Sequence, residues 1–258
     1  MKRLLSRPLT KVQSLLIHSH SRRPASLWSD IFCYVLLPSI FFLSLGYAIE
    51  VSHVDLVIAE SLYRYQGGPE FGGWTLRSSF LEEGILHKGM HHLVVVLALS
   101  LLAAFVISLK RQPWQEYRAP LLYLIVCFAV TTLIIAALKK FTHVNCPWDL
   151  VAFGGTQPFV PTFSALPTGV TPGRCFPGGH ASGGYGWLGL YFVALVYWPR
   201  WRYLALAAVL VCGGLMDIGQ QLRGAHFMSH GFWSLAISWW VSSLLYLLML
   251  RRYRVRRA

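Results

Sequence analysis

The chain has 258 residues, of which 55% are hydrophobic and 13% charged, and its mean hydropathy is positive. That composition excludes an ordinary soluble domain and points to the membrane class. A formal net charge of +13 would suit nucleic acid if it formed one basic face, but its distribution along the chain assigns it to membrane orientation, and no nucleic-acid partner is expected.

The first 30 residues carry Lys2, Arg3, Arg7, Lys11, Arg22 and Arg23, without an apolar run or a small-residue cleavage pattern before Pro24. A cleaved signal peptide is therefore not expected, and the first span serves as an uncleaved anchor. Leu5, Leu9, Val12 and Leu16 recur at helical spacing, which reads either as a helix lying on the inner leaflet or as a frayed basic tail. A helical span needs about 20 apolar residues, and six charge-poor windows qualify, roughly 31–49, 92–109, 119–138, 182–199, 202–218 and 231–250. The predicted fold is all-α: an integral membrane six-helix bundle over 31–250, preceded by a cytoplasmic basic segment 1–30 and followed by a basic tail 251–258. With both termini inside, these two segments and the short loops bearing Lys110, Arg111, Arg118, Arg200 and Arg202 hold most of the 23 Lys and Arg. This is the positive-inside pattern, with anionic headgroups as the partners of the charge.

That orientation leaves 50–91, 139–181 and 219–230 outside, together with seven of the ten His and an eighth, His92, directly at the edge of the first. In the first, Val51, Val54, Ile58 and Leu62 share a helical face and read as a short interfacial helix, ended by the turn residues of QGGPEFGG. That segment reads as support. Its HKGMHH run has His ligands for a metal, but no Cys or carboxylate at the spacing of a closed site, so no metal is expected. In the second, Pro177, Gly178, Gly179 and His180 directly precede an apolar run. His180 and the Gly178 and Gly179 amides then lie at a helix N-terminus, where unpaired N–H groups favour an anion such as phosphate. Lys139 and Lys140 stand at the outer end of the third span, as anchors or as a grip on an anion. Arg223, His226 and His230 follow at i, i+3 and i+7, one face of the last helix if it has already begun. Each of these patches alone is bland. Three span ends on one side offering cations and imidazoles to one pocket are not.

On these residues the chain resembles the type-2 phosphatidic acid phosphatase superfamily, whose pattern runs Lys-x6-Arg-Pro, Pro-Ser-Gly-His and Ser-Arg-x5-His-x3-Asp. Lys139-x6-Cys146-Pro147 matches the first, Pro177 to His180 the second, and His226-x3-His230 the end of the third. The resemblance implies a metal-independent membrane lipid phosphatase in which His226 attacks phosphorus and becomes phosphohistidine, and His180 protonates the leaving oxygen. Lys139, Arg223 and the Gly178 and Gly179 amides would hold the phosphate oxygens. Cys146 and Gln220 stand where the family has its two Arg, and His230 where it has Asp. Neither Cys nor Gln replaces a bidentate guanidinium, so Arg223 and Arg174 are the expected substitutes. His230, Asp217 or Asp149 would orient His226.

Cys33, Cys127 and Cys212 fall in apolar spans, while Cys146 and Cys175 each adjoin a motif in the outer loop. A Cys146–Cys175 disulfide, allowed if that face is a bacterial periplasm, would tie the Lys139 motif to the His180 motif. The implied location is the bacterial inner membrane, with a phospholipid, an isoprenyl diphosphate or a lipid A type molecule as substrate and no cofactor. Three other readings remain open: transfer of the phosphoryl group from an isoprenyl diphosphate to a lipid A type acceptor, a non-catalytic lipid-binding relative, and a transporter. The transporter reading fits least, because transport sites place ionisable groups near mid-membrane and here only Asp217 approaches that depth.

Overall fold

A computed structural model describes residues 26–257; the expected inner-leaflet helix around Leu5 to Leu16 lies outside them. The described chain is helical, with helices α1 Leu27–Ser52, α2 Val54–Tyr65, α3 Met90–Lys110, α4 Arg118–Phe141, α6 Arg202–Leu222 and α7 Met228–Leu245. Helix α5 lies between α4 and α6 and comprises Gly179–Tyr185, a 3-10 turn Gly186–Leu188 and Gly189–Tyr197. Five segments are long and apolar enough to cross a membrane, and they contain α1, α3, α4, α6 and α7. The sixth expected window, 182–199, is helical but falls short of that apolarity. The reason is its position. Helix α5 is packed against α4, α6 and α7, and every residue from Tyr191 to Val196 is buried, so protein rather than lipid surrounds it and small residues take the place of an oily surface. A methyl group on Gly184 would overlap the Gly213 backbone of α6.

The element ends explain where polar groups gather. Chain reversal between antiparallel spans puts the C-termini of α4 and α6 and the N-termini of α5 and α7 at one end of the bundle. At the other end, buried Asp30 receives Arg251 at 2.9 Å and Arg254 at 2.8 Å, tying the start of α1 to the chain beyond α7. Helix α2 forms within the segment expected to hold a short helix, but it turns Asp55, Ala59 and Tyr63 inward. Asp55 then does long-range work: its Oδ1 accepts the Ser229 amide at 2.9 Å, capping the first turn of α7 from another helix. Burial raises the Asp55 pKa, and the bond from Ser229 opposes that rise.

Candidate active site

Four helix ends build the site, and each stops for a local reason. Helix α6 ends because Gly224 adopts φ 68°, a left-handed conformation natural to glycine; the Trp74 ring covers it so closely that a Cβ would overlap the indole. The Ala225 amide bonds back to the Gln220 carbonyl at 2.9 Å. Helix α7 starts only at Met228. The expectation that Arg223, His226 and His230 share one helical face is therefore corrected: Arg223 and His226 belong to the turn, and only His230 to the helix. The turn nevertheless brings the two histidines together, Nδ1 to Nδ1, at 3.1 Å.

Both rings are buried, His230 completely, and the Cys175 main-chain carbonyl lies beside both. That carbonyl is placed by the loop between α4 and α5. Cys146 and Cys175 are joined as a disulfide with Cα atoms 5.3 Å apart, and the Cys175 amide donates to Val144 at 2.9 Å. Lys139 arrives from the end of α4 with Nζ lying over Gly179. Burial, followed by the His230 ring and the Lys139 charge, holds the His226 pKa well below the usual histidine range. His226 is thus neutral near pH 7. Its unfolded counterpart takes up a proton near about pH 6.5, so the folded state loses stability as pH falls below that value. The thermal midpoint should be level above about pH 7 and decline below about 6.5, with a shallower decline in His226→Gln; equal slopes would show that His226 titrates normally.

His180 sits in the first turn of α5 and its Nε2–H donates to the Leu86 carbonyl at 3.0 Å, which leaves Nδ1 as the nitrogen free for another role. Leu86 belongs to a π-helical segment, Phe80–Gly89, that runs into α3. His87 in that segment lies with its ring centroid 4.6 Å from that of His180, and its Nδ1 meets Gln220 Nε2 at 3.1 Å. The reading of 50–91 as mere support is corrected here: its last turns reach the site. Buried Glu82 joins them, packed on Gly219. No periodicity in the sequence marks these residues, because the partners are far apart in the chain and the π-turn shifts the helical register.

Three further expectations change. The Gly178 amide is not free for an anion, since it donates to the His230 carbonyl at 2.9 Å; the first α5 bond is Ser182 to Gly178, so the amides of residues 179–181 are the unpaired ones. Arg174 is exposed, and among the described residues it makes no hydrogen bond or ion pair with the histidines. Asp217 is buried, accepts Gln221 Nε2 at 3.0 Å and packs on Gly231, while Asp149 accepts the Cys146 amide at 3.2 Å. Of the three candidates to orient His226, the structure brings His230 into contact. Arg223 stays near the cluster: its charge bears on His180 and His87, and its Nε donates to the Arg77 carbonyl at 3.2 Å.

Among solved structures the chain is similar to the crystal structure described as the first transmembrane PAP2 type phosphatidylglycerolphosphate phosphatase, from Bacillus subtilis. The TM-score is 0.51 and the identity 18%, over 81% of this chain and 92% of that one, a likeness of fold. A search of curated proteins finds no match. The family model described as the PAP2 superfamily matches residues 120–254, a range that starts within α4 and takes in Lys139, His180, His226 and His230. The chain is a multi-pass membrane protein and belongs to the PAP2 superfamily.

Proposed function

We propose that this protein is a membrane lipid phosphatase that works through a phosphohistidine on His226. One observation carries the reading: Lys139, His180 and His230 from the ends of three different helices, and His226 from the turn before the last of them, gather at one end of the bundle. The Nδ1–Nδ1 contact needs a single proton between two lone pairs. With that proton on His226, His230 accepts it, and His226 Nε2 presents its lone pair to phosphorus. Burial lowers the His180 pKa to about 4, so His180 takes up a proton on Nδ1 as the dianionic phosphate enters and offsets that cost; the His226–phosphorus bond forms in line as the bond from phosphorus to the lipid oxygen breaks, and His180 gives that oxygen its proton. Water then attacks the phosphohistidine while His180 takes back a proton. Lys139 and the amides of residues 179–181 face charge on the equatorial oxygens, where most of the benefit in phosphoryl transfer arises. These groups supply the charge stabilisation without a metal ion.

The site faces the periplasm of a bacterial inner membrane, with both termini cytoplasmic. Two features support this side. The disulfide in the loop fits an oxidising compartment, and the opposite end carries Lys110, Arg111, Arg118, Arg200, Arg202, Arg251, Arg252 and Arg254. The span-forming domain accordingly runs over 31–250, with basic segments on either side.

The test is phosphate release from a panel of lipid phosphates by the detergent-purified protein with a chelator present. The expected result is chelator-resistant release from at least one lipid, lowered about a hundredfold in Lys139→Gln. Release that stops with the chelator and returns with a divalent metal would overturn the metal-free mechanism, and the absence of release from any lipid would favour a non-catalytic binder.

A further inference from the structure

At the end of the bundle away from the histidines, a groove of about 440 Å³ opens between the end of α3, the start of α4 and the chain that continues α7 through a π-helical turn, Tyr246–Leu250, into a helix, Arg251–Arg257. Its lining is ordered by depth. Arg118 and Arg252 stand at the bundle end, and Leu122 and Leu248 lie four residues, about one helical turn, further in. Arg118 is held in place: its Nε donates to the Ser108 carbonyl at 2.7 Å and its Nη2 to the Leu109 carbonyl at 2.9 Å. These are last-turn carbonyls of α3 that have no helical partner, and Nη1 is left without one among the described residues. Arg252 lies over the Tyr253 ring, 4.9 Å from its centroid, and donates to the Tyr253 hydroxyl at 3.0 Å, which restricts its guanidinium as well.

What fills such a groove follows from its surroundings and its charge. Leu109, Leu122 and Leu248 are exposed although they belong to membrane spans, so lipid is what they meet, while the arginines at the bundle end lie at headgroup depth. No carboxylate lines the groove, and among the described residues neither Arg118 nor Arg252 is in an ion pair. Of the acids at this end, Asp30 is held by Arg251 and Arg254, and Glu116 does not line the groove. An occupant with an anionic head above an apolar body matches both halves. Residues 1–25 have the wrong charge for it, since they carry Lys2, Arg3, Arg7, Lys11, Arg22 and Arg23 and no Asp or Glu.

We propose that this groove binds an anionic phospholipid of the leaflet at that end of the bundle, its phosphate held by Arg118 and Arg252 and an acyl chain lying along Leu109, Leu122 and Leu248. The site is remote from His226, so its occupant is neither substrate nor product, and it does not depend on the proposed reaction. Native mass spectrometry of the detergent-purified full chain, equilibrated with equal amounts of phosphatidylglycerol and phosphatidylcholine bearing the same acyl chains, tests it. With each arginine worth about fivefold, the wild type should retain phosphatidylglycerol with a preference of about twentyfold. Arg118→Gln with Arg252→Gln should bring the ratio near one. Arg252→Gln alone, at an exposed position that spares the bonds to α3, should lower it about fivefold. Leu122→Trp fills the groove beneath both arginines and should displace the lipid. Arg200→Gln with Arg202→Gln removes the same charge from the same end outside the groove and should leave the ratio unchanged. A ratio near one in the wild type, an unchanged ratio in the Arg118 and Arg252 double variant, or an equal fall in the Arg200 and Arg202 control would overturn the site, the last by showing diffuse surface charge. Lipid-free dimers of the wild type would overturn it in favour of a second copy of the chain.

Discussion

Replacing His226 with alanine should lower phosphate release by about 10⁴-fold or more, because the lost group is the proposed nucleophile and not an accessory. The size of the loss distinguishes roles. A residue that only stabilises charge costs about 10² to 10³ when removed, leaving turnover that is easy to measure. The substitution is also expected to leave the protein folded. His226 lies in a turn whose geometry is set by Gly224 and by main-chain bonds to Gln220, and removing a buried imidazole that stays neutral takes away no ion pair. Normal detergent behaviour with no turnover is the expected combination. Residual release within tenfold of wild type would move the nucleophile elsewhere.

The second large effect concerns His230, a positioning residue in this account. His230→Ala leaves the His226 Nδ1 proton without its acceptor, so the ring loses both orientation and preference for the tautomer with a free Nε2 lone pair; release should fall about a hundredfold or more. His230→Asp is the informative partner. Asp Oδ1 occupies the same place on its side chain as His Nδ1, so the 3.1 Å contact can be rebuilt with an ionised acceptor. It also removes a mismatch of the native arrangement, in which His230 Nε2 is buried with no partner among the described residues. The aspartate variant should therefore match or exceed wild type, and the pH profile should move with it. An adjacent carboxylate raises the His226 pKa, so the neutral nucleophile is lost at a higher pH on the acid side than in wild type. If His230 served packing alone, the buried carboxylate would harm more than alanine and the acid limb would not shift.

Much of this architecture is legible in the sequence because a bilayer imposes it. Charge-poor runs mark the spans, and polar residues cluster where antiparallel helices end, so Lys139, His180, His226 and His230 fall at one end as soon as the spans are counted. The exception to the apolarity rule, α5, is instructive. Its Gly184 and Gly186 and its tyrosines lower hydropathy because the helix faces protein on all sides. What the sequence hides is mostly main-chain or distant. Nothing local announces that the Gly178 amide is spent on the His230 carbonyl, that Asp55 caps α7 from across the bundle, or that a π-turn lays His87 on His180. The same holds for the choice among His230, Asp217 and Asp149, which depends on side-chain direction and not on spacing.

In the proposed reaction, this end of the bundle makes a covalent bond between His226 and phosphorus. It is tested most directly by rapid base quench of the protein turning over a lipid labelled in its terminal phosphate, followed by mapping of the labelled peptide. The expected result is label that survives base and is lost in acid, on the peptide containing His226, and none in His226→Ala. Label on a different residue, or undiminished label in His226→Ala, would contradict it.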